Sequence, residues 1–213
     1  MYSAIVLAAG SGSRMNLGYN KIFFKCSDGL TIIEKSVDVF YRDPRCNQII
    51  ITCSSDDMYD LYELFGNKVQ YALGGQTRAH SVYNALHAVK NEYVMIHDGA
   101  RPWVPRKCID EILEVLPIKK ACILAMPVKD TIKVVKDGVI ETTPKRSTLY
   151  LAQTPQAFET NLILKAYHDG FKQGVEVSDD ASMVELCSDY DVSIVEGSYE
   201  NIKVTTIEDV VGK

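Results

Sequence analysis

The chain has 213 residues, 46% hydrophobic and 24% charged, which is ordinary globular usage and enough to bury one sizeable core, so one domain over 1–213 is expected. With 23 basic against 28 acidic residues the net charge is -5, a field that argues against nucleic acid or an anionic membrane as partner and leaves anion binding to local clusters. No apolar run approaches the roughly 18 to 20 residues of a membrane span, the start lacks a signal-peptide pattern, and six scattered cysteines without C-x-x-C or metal-ligand spacing argue against zinc and for a reduced, cytoplasmic protein.

Residues 3–8 (SAIVLA) are the first apolar run, and runs this continuous predict strands buried on both faces of a parallel sheet. The run leads into Ala8-Ala9-Gly10-Ser11-Gly12-Ser13-Arg14-Met15. Glycines there let the backbone approach a bound group, amides can cradle phosphate oxygens, and Arg14 adds a full charge. The dinucleotide pattern G-x-G-x-x-G fails at Met15, and the Gly-Lys-Ser/Thr end of a P-loop is absent. A tight strand-to-helix turn explains the glycines equally well. Lys21, seven residues beyond Arg14 in Asn20-Lys21-Ile22-Phe23, tips the reading toward an anion site, because its apolar neighbours would hold the lysine near the loop. Apolar spacing of three to four then predicts a helix over 31–41, a strand follows at 48–53 (QIIITC), and a weaker helical pattern covers 56–65.

Gly74-Gly75-Gln76-Thr77-Arg78-Ala79-His80-Ser81 opens the next predicted helix, 79–89. Amides and hydroxyls at such a start can read the edge of a base; a helix cap with a solvated arginine accounts for it as well. A strand at 93–96 (YVMI) runs into His97-Asp98-Gly99-Ala100-Arg101-Pro102, placing Asp98 at the carboxyl edge of the sheet, where ligand sites of such folds lie. One carboxylate there suits Mg2+, which takes one or two carboxylates plus substrate phosphates. A helix over 108–116 and a strand over 121–128 follow.

Residues 131–135 (TIKVV), Lys136-Asp137-Gly138 and 139–143 (VIETT) read as a lysine-rich hairpin, because Asp-Gly supplies the left-handed backbone of a tight turn. The hairpin lies on the sheet edge or projects as an arm over about 130–148. Beyond it come Arg146, then Gln153-Thr154-Pro155-Gln156, on packing grounds a proline turn, and Ser178-Asp179-Asp180-Ala181-Ser182, an acidic helix start. A late strand is expected at 191–196, and Lys203, between Ile202 and Val204, on another. His80, His87, His97 and His168 show neither triad nor metal spacing and read as structural or solvated. The alternation of strands and helices predicts a Rossmann-like three-layer α/β sandwich with a mostly parallel sheet.

In order along residues 3 to about 210, the segments LAAGSGSRM, NKIF, GGQTRAHSVYNAL, HDGARPWV, PVKDTIK, RSTLYLAQTPQAF, SDDASMVE and VEGSYENIKVTT resemble the 2-C-methyl-D-erythritol 4-phosphate cytidylyltransferase family. The resemblance implies a nucleotidyltransferase fold and a reaction of the non-mevalonate isoprenoid pathway. CTP and 2-C-methyl-D-erythritol 4-phosphate give 4-diphosphocytidyl-2-C-methyl-D-erythritol and pyrophosphate, with Mg2+ or another divalent cation. The attacking phosphate oxygen is already anionic, so such chemistry needs positioning and charge neutralisation rather than a serine-histidine pair. By resemblance Arg14 and Lys21 stabilise the transition state. Leu7, Ala8, Ala9 and Gly10 lie along the nucleotide, Gly75, Arg78 and Ser81 near cytosine, and Asp98, Gly99 and Ala100 on the ribose and metal side, Asp98 holding the metal. Arg146 and Lys203 position methylerythritol phosphate, with Thr131, Thr154 and Ser178 beside them. In the family Thr131 and Arg146 belong to a hairpin that reaches into the partner subunit, which implies a homodimer through the arm.

The sequence departs from the family at Leu7, where many members have Pro, and at Ser178, where Thr is common. It ends at Lys213, where relatives continue into a closing helix, so the expectation is altered C-terminal packing rather than altered chemistry. Ribitol-5-phosphate cytidylyltransferase, a sister family, is the alternative within the same chemistry; it shows Ala-Gly-Gly in the first loop and His-Asp-Ser-Val-Arg-Pro in the third, against Ala8-Ala9-Gly10 and the His97 to Pro102 segment here. A nicotinamide-dependent dehydrogenase with Asp56 as ribose ligand would leave Arg14, Lys21 and Lys203 without a role, and a non-catalytic nucleotide sensor would have no need of Lys21.

Overall fold

The computed structural model describes residues 1–10 and 18–210, so Arg14 lies outside the described residues. The first buried strand, β1 (Tyr2–Leu7), is followed by α1 (Ile32–Tyr41), which starts where the sequence carries a capping box: Thr31 accepts from the Glu34 amide and Glu34 accepts from the Thr31 amide. Next come β2 (Cys46–Cys53), α2 (Met58–Phe65), β3 (Gln70–Leu73), α3 (Arg78–Leu86), β4 (Tyr93–Asp98), α4 (Arg106–Lys119) and β5 (Ala121–Pro127). A hairpin of β6 (Val134–Lys136) and β7 (Val139–Thr142) precedes β8 (Tyr150–Glu159), α5 (Thr160–Gln173), α6 (Asp180–Cys187) and β9 (Ser193–Glu196).

Seven strands form one sheet in the order β3-β2-β1-β4-β8-β5-β9, parallel except for β8, which runs antiparallel to both β4 and β5. Alternation along β1 sends Ala4 and Val6 to one face and Ile5 to the other. On the first face they meet Ile33, Val37 and Phe40 of α1 and Ile109, Ile112 and Leu116 of α4. On the second face lie Val82 and Leu86 of α3, Ile163 and Tyr167 of α5, and Met183 of α6. The result is the expected three-layer α/β sandwich with a mostly parallel sheet.

Three expectations change. The segment around Gln153 to Gln156 is no turn: it lies inside β8, buried between β4 and β5. Lys203 is not on a strand; residues 201–205 are held by a bond from the Val204 amide to the Ala100 carbonyl (2.8 Å) and by contacts to side chains rather than by a neighbouring strand. The hairpin strands are shorter than expected, although Asp137 (φ 51°) and Gly138 (φ 79°) adopt the left-handed backbone that the tight turn requires. Val135, Val139 and Ile140 of this arm are exposed. No helix among the described residues is long and apolar enough to cross a membrane.

Candidate active site

The carboxyl ends of β1, β2 and β4 open onto a cleft of about 430 Å³. Leu7, Ala9 and Gly10 line it from the first loop. Ala8 is buried beneath them, its amide donating to the Thr52 carbonyl (2.9 Å) and its carbonyl accepting from Asn20 Nδ2 (3.1 Å), so it shapes the loop through backbone bonds. Asn20 also donates to Asp57 Oδ2 (2.9 Å) and caps the short turn Lys21–Phe23. This turn presents Lys21, only 8% exposed yet lining the cleft, and its Nζ donates to the Val204 carbonyl at 2.7 Å. An ammonium held in so sheltered a place acts on a nearby anion with less screening than in bulk water.

The opposite wall is the entry to α3. Thr77 caps the helix by accepting from the His80 amide (3.2 Å), while Ser81 Oγ accepts from the Gly75 amide (3.0 Å) and donates to the Thr77 carbonyl (3.1 Å). Gly75, Arg78 and Ser81 thus reach the cleft together with Gln76 and Thr77. A helix start offers amide donors and a partial positive charge to an anion.

At the end of β4, Asp98 gathers the charge. Lys203 Nζ lies 2.8 Å from Oδ2, Arg101 Nε 3.6 Å from the same oxygen and Arg78 Nε 3.6 Å from Oδ1. Burial by itself would raise the pKa of Asp98, but the charges of Arg78, Lys203 and Arg101 hold it well below the ordinary carboxylate range. Behind it runs a buried chain of hydrogen bonds: the Asp98 amide donates to Thr154 Oγ1 (3.0 Å), which meets His97 Nδ1 (3.1 Å), and His97 Nε2 meets the Arg101 carbonyl (3.0 Å). A carbonyl only accepts, so Nε2 carries the proton and the Thr154 hydroxyl donates to Nδ1. Burial lowers the His97 pKa to about 4, so the ring is neutral and structural. Gly99 is required by space, since a Cβ there would stand 2.7 Å from the Leu7 carbonyl oxygen. Ala100 lines the cleft and accepts from Val204.

Asp98 is the carboxylate on this cleft wall, and among the described residues no group of three or more His, Cys, Asp or Glu side chains could hold a metal. This donor set fits a hard cation whose other ligands are phosphate oxygens and water.

Not every expected residue converges. Thr154 sits behind Asp98 rather than on the wall, and Ser178 lies just before Asp179, the cap of α6. Thr131 and Arg146 are exposed on the arm, where Arg146 Nη1 donates to the Lys129 carbonyl (3.0 Å). Sequence reasoning missed Thr52, Asn20, Arg101 and Asp180 as parts of the site. Arg101 and Asp180 stood inside quoted segments, but their ion pairs with Asp98 and Arg78 exist only in the folded chain.

The family described as IspD, 2-C-methyl-D-erythritol 4-phosphate cytidylyltransferase, matches residues 2–212. Two curated proteins, both named 2-C-methyl-D-erythritol 4-phosphate cytidylyltransferase, are similar over nearly the whole chain. One, from Clostridioides difficile (strain 630), is 43% identical and covers 99% of this chain and 91% of its own. The other, from Bacillus cytotoxicus, is 46% identical over 99% and 95%. The crystal structure of 4-diphosphocytidyl-2C-methyl-D-erythritol synthase from Anaerococcus prevotii DSM 20548 superposes with a TM-score of 0.85 at 34% identity, covering 99% of this chain and 93% of that one.

Proposed function

Because the chain belongs to the 2-C-methyl-D-erythritol 4-phosphate cytidylyltransferase family, we propose that this cleft is where a phosphate oxygen of 2-C-methyl-D-erythritol 4-phosphate attacks the α-phosphorus of CTP. The protein is a nucleotidyltransferase of isoprenoid precursor synthesis, and pyrophosphate is the leaving group. The observation that carries the reading is convergence: Lys21, Arg78, Asp98 and Lys203, from distant parts of a chain matched over residues 2–212, share one cleft. The ribitol 5-phosphate alternative gains no support from these relatives.

In this reading the first loop and the start of α3 take the nucleotide, with Leu7 to Gly10 along it and Gly75, Arg78 and Ser81 toward cytosine. Lys21 and Arg14 offset the charge that accumulates on the α-phosphate and the pyrophosphate, an effect worth most in a sheltered site. Lys203 and Arg146 orient the acceptor phosphate, with Thr131, Thr154 and Ser178 in support. Asp98, beside Gly99 and Ala100, would hold Mg2+ or another divalent cation, which when bound neutralises part of the triphosphate charge. The protein works as one catalytic unit and as a homodimer, its exposed arm Val135, Val139 and Ile140 offering apolar surface that a second copy would cover. A cytoplasmic location is proposed from cysteine usage.

The test is pyrophosphate release with CTP and Mg2+ against methylerythritol phosphate, ribitol 5-phosphate and no acceptor. Methylerythritol phosphate should give the highest kcat/KM; a higher value with ribitol 5-phosphate would reverse the assignment.

A further inference from the structure

We propose that Asp180 is a positioning residue for the cytidylyl transfer: from the first turn of α6 it clamps the guanidinium of Arg78 in the cleft wall and thereby braces Asp98. The inference rests on the reading of the cleft as a CTP site. Asp180 is 0% exposed, yet three donors converge on its carboxylate. Arg78 Nη1 and Nη2 take one oxygen each, at 3.0 and 2.7 Å, and the Tyr167 hydroxyl donates to Oδ1 at 2.6 Å. A carboxylate is expensive to bury unless it is paired and hydrogen-bonded in this way. Gln156 fixes the helix start that carries it, its Oε1 accepting from the amides of Asp180 and Ala181, both at 2.9 Å.

What this does to Arg78 matters more than what it does to α6. A guanidinium recognises a phosphate through its paired terminal nitrogens, and here both of these point at Asp180. The Nε that remains lies 3.6 Å from Asp98 Oδ1, on the side of that carboxylate away from Lys203 and Arg101, which face Oδ2. Arg78 is therefore a strut between two carboxylates rather than an open clamp. Without the negative charge of Asp180 the arginine swings onto Asp98, out of the place it holds in the cleft wall, and the charge balance around Asp98 is lost. The same bond joins residues 102 apart in sequence, tying the entry of α3 to the turn that carries Ser178.

The experiment is a double-mutant cycle on the full chain, with kinetics in CTP at saturating acceptor and thermal unfolding run in parallel. Turnover by the wild type tests the reading of the cleft; the cycle tests Asp180. Asp180→Asn should lower kcat/KM for CTP by about 100-fold, the scale of a misplaced reacting group. KM for CTP should rise, which a smaller folded fraction cannot cause. The double variant Asp180→Asn/Arg78→Met should be no worse than Arg78→Met alone, because Asp180 acts through that side chain. Losses that multiply in the double variant, or an unchanged KM with only a lower Tm, would overturn the proposal. If Asp180→Asn does not fold, Tyr167→Phe takes its place in the cycle: it removes one hydrogen bond to the same carboxylate, should raise KM for CTP several-fold, and should have no effect in the Arg78→Met background.

Discussion

Lys21 combines two features that rarely coincide, an ammonium and near-complete burial, and each makes its own prediction. Lys21→Met keeps the stem in place and removes the charge. kcat should fall by about 100-fold or more, as for loss of one preorganised donor in an anion site, with a much smaller rise in KM for CTP. The lost bond to the carbonyl of buried Val204 should cost about 1–3 kcal/mol, read by denaturant unfolding. His97 provides the pH dependence. Unfolded, it protonates near its ordinary value of 6.5; folded, only near 4. Between these values the unfolded state binds more protons, so stability falls as the pH is lowered through that window. The total is on the order of 3 kcal/mol. The lowered pKa of Asp98 works the same way but only at more acid pH, because its contribution is lost below the ordinary aspartate range. Tm measured from pH 7.5 to 4.5 should drop for the wild type more steeply than for His97→Gln; parallel curves would show that another group titrates.

At the level of elements, β8 organises the site. Gln153 bonds both the carbonyl and the amide of Ser198, Thr154 supports Asp98 and His97, and Gln156 anchors α6. Thr154→Val keeps the shape and leaves the buried Asp98 amide without its acceptor, so stability should fall by about 1–3 kcal/mol in urea unfolding. This strand also marks where the sequence stops being legible. β1, β2 and β4 announce themselves as apolar runs, and α1 and α3 by Thr31 and Thr77 at their starts. β8 instead carries Pro155 at its centre, which a central strand rarely holds, flanked by polar Gln153, Thr154 and Gln156, whose burial is possible because partners far off in the chain satisfy their polar groups. β3 is short and half exposed and gives no periodic signal. For the site, the motifs located the cleft residues near Gly10, Gly75 and Asp98; what they could not reveal is that Arg78 and Asp98 share a charge network with Asp180, Arg101 and Lys203.

For the whole molecule, the proposed dimer can be tested by mixing. Lys21→Ala spoils the body of a site and Arg146→Ala the arm. If the arm serves the neighbouring subunit, co-refolding equal amounts makes about half the dimers mixed, each with one intact site, and roughly a quarter of wild-type activity returns. No recovery despite confirmed mixed dimers would assign Arg146 to its own subunit. That an arm could emerge where it would be useful follows from the one strand that runs against the rest. β5 ends at the edge that bears the cleft, and an all-parallel continuation would first have to cross back to the far edge before the next strand began. Since β8 runs the other way, with Tyr150 paired to Pro127, its first residue stands at the edge where β5 finished. Everything between them is therefore an excursion that leaves and rejoins the molecule at the same edge of the sheet that bears the cleft. Its length and composition can change without altering one hydrogen bond of the seven-stranded sheet, so the arm is free to evolve as a recognition element while the catalytic frame stays as it is.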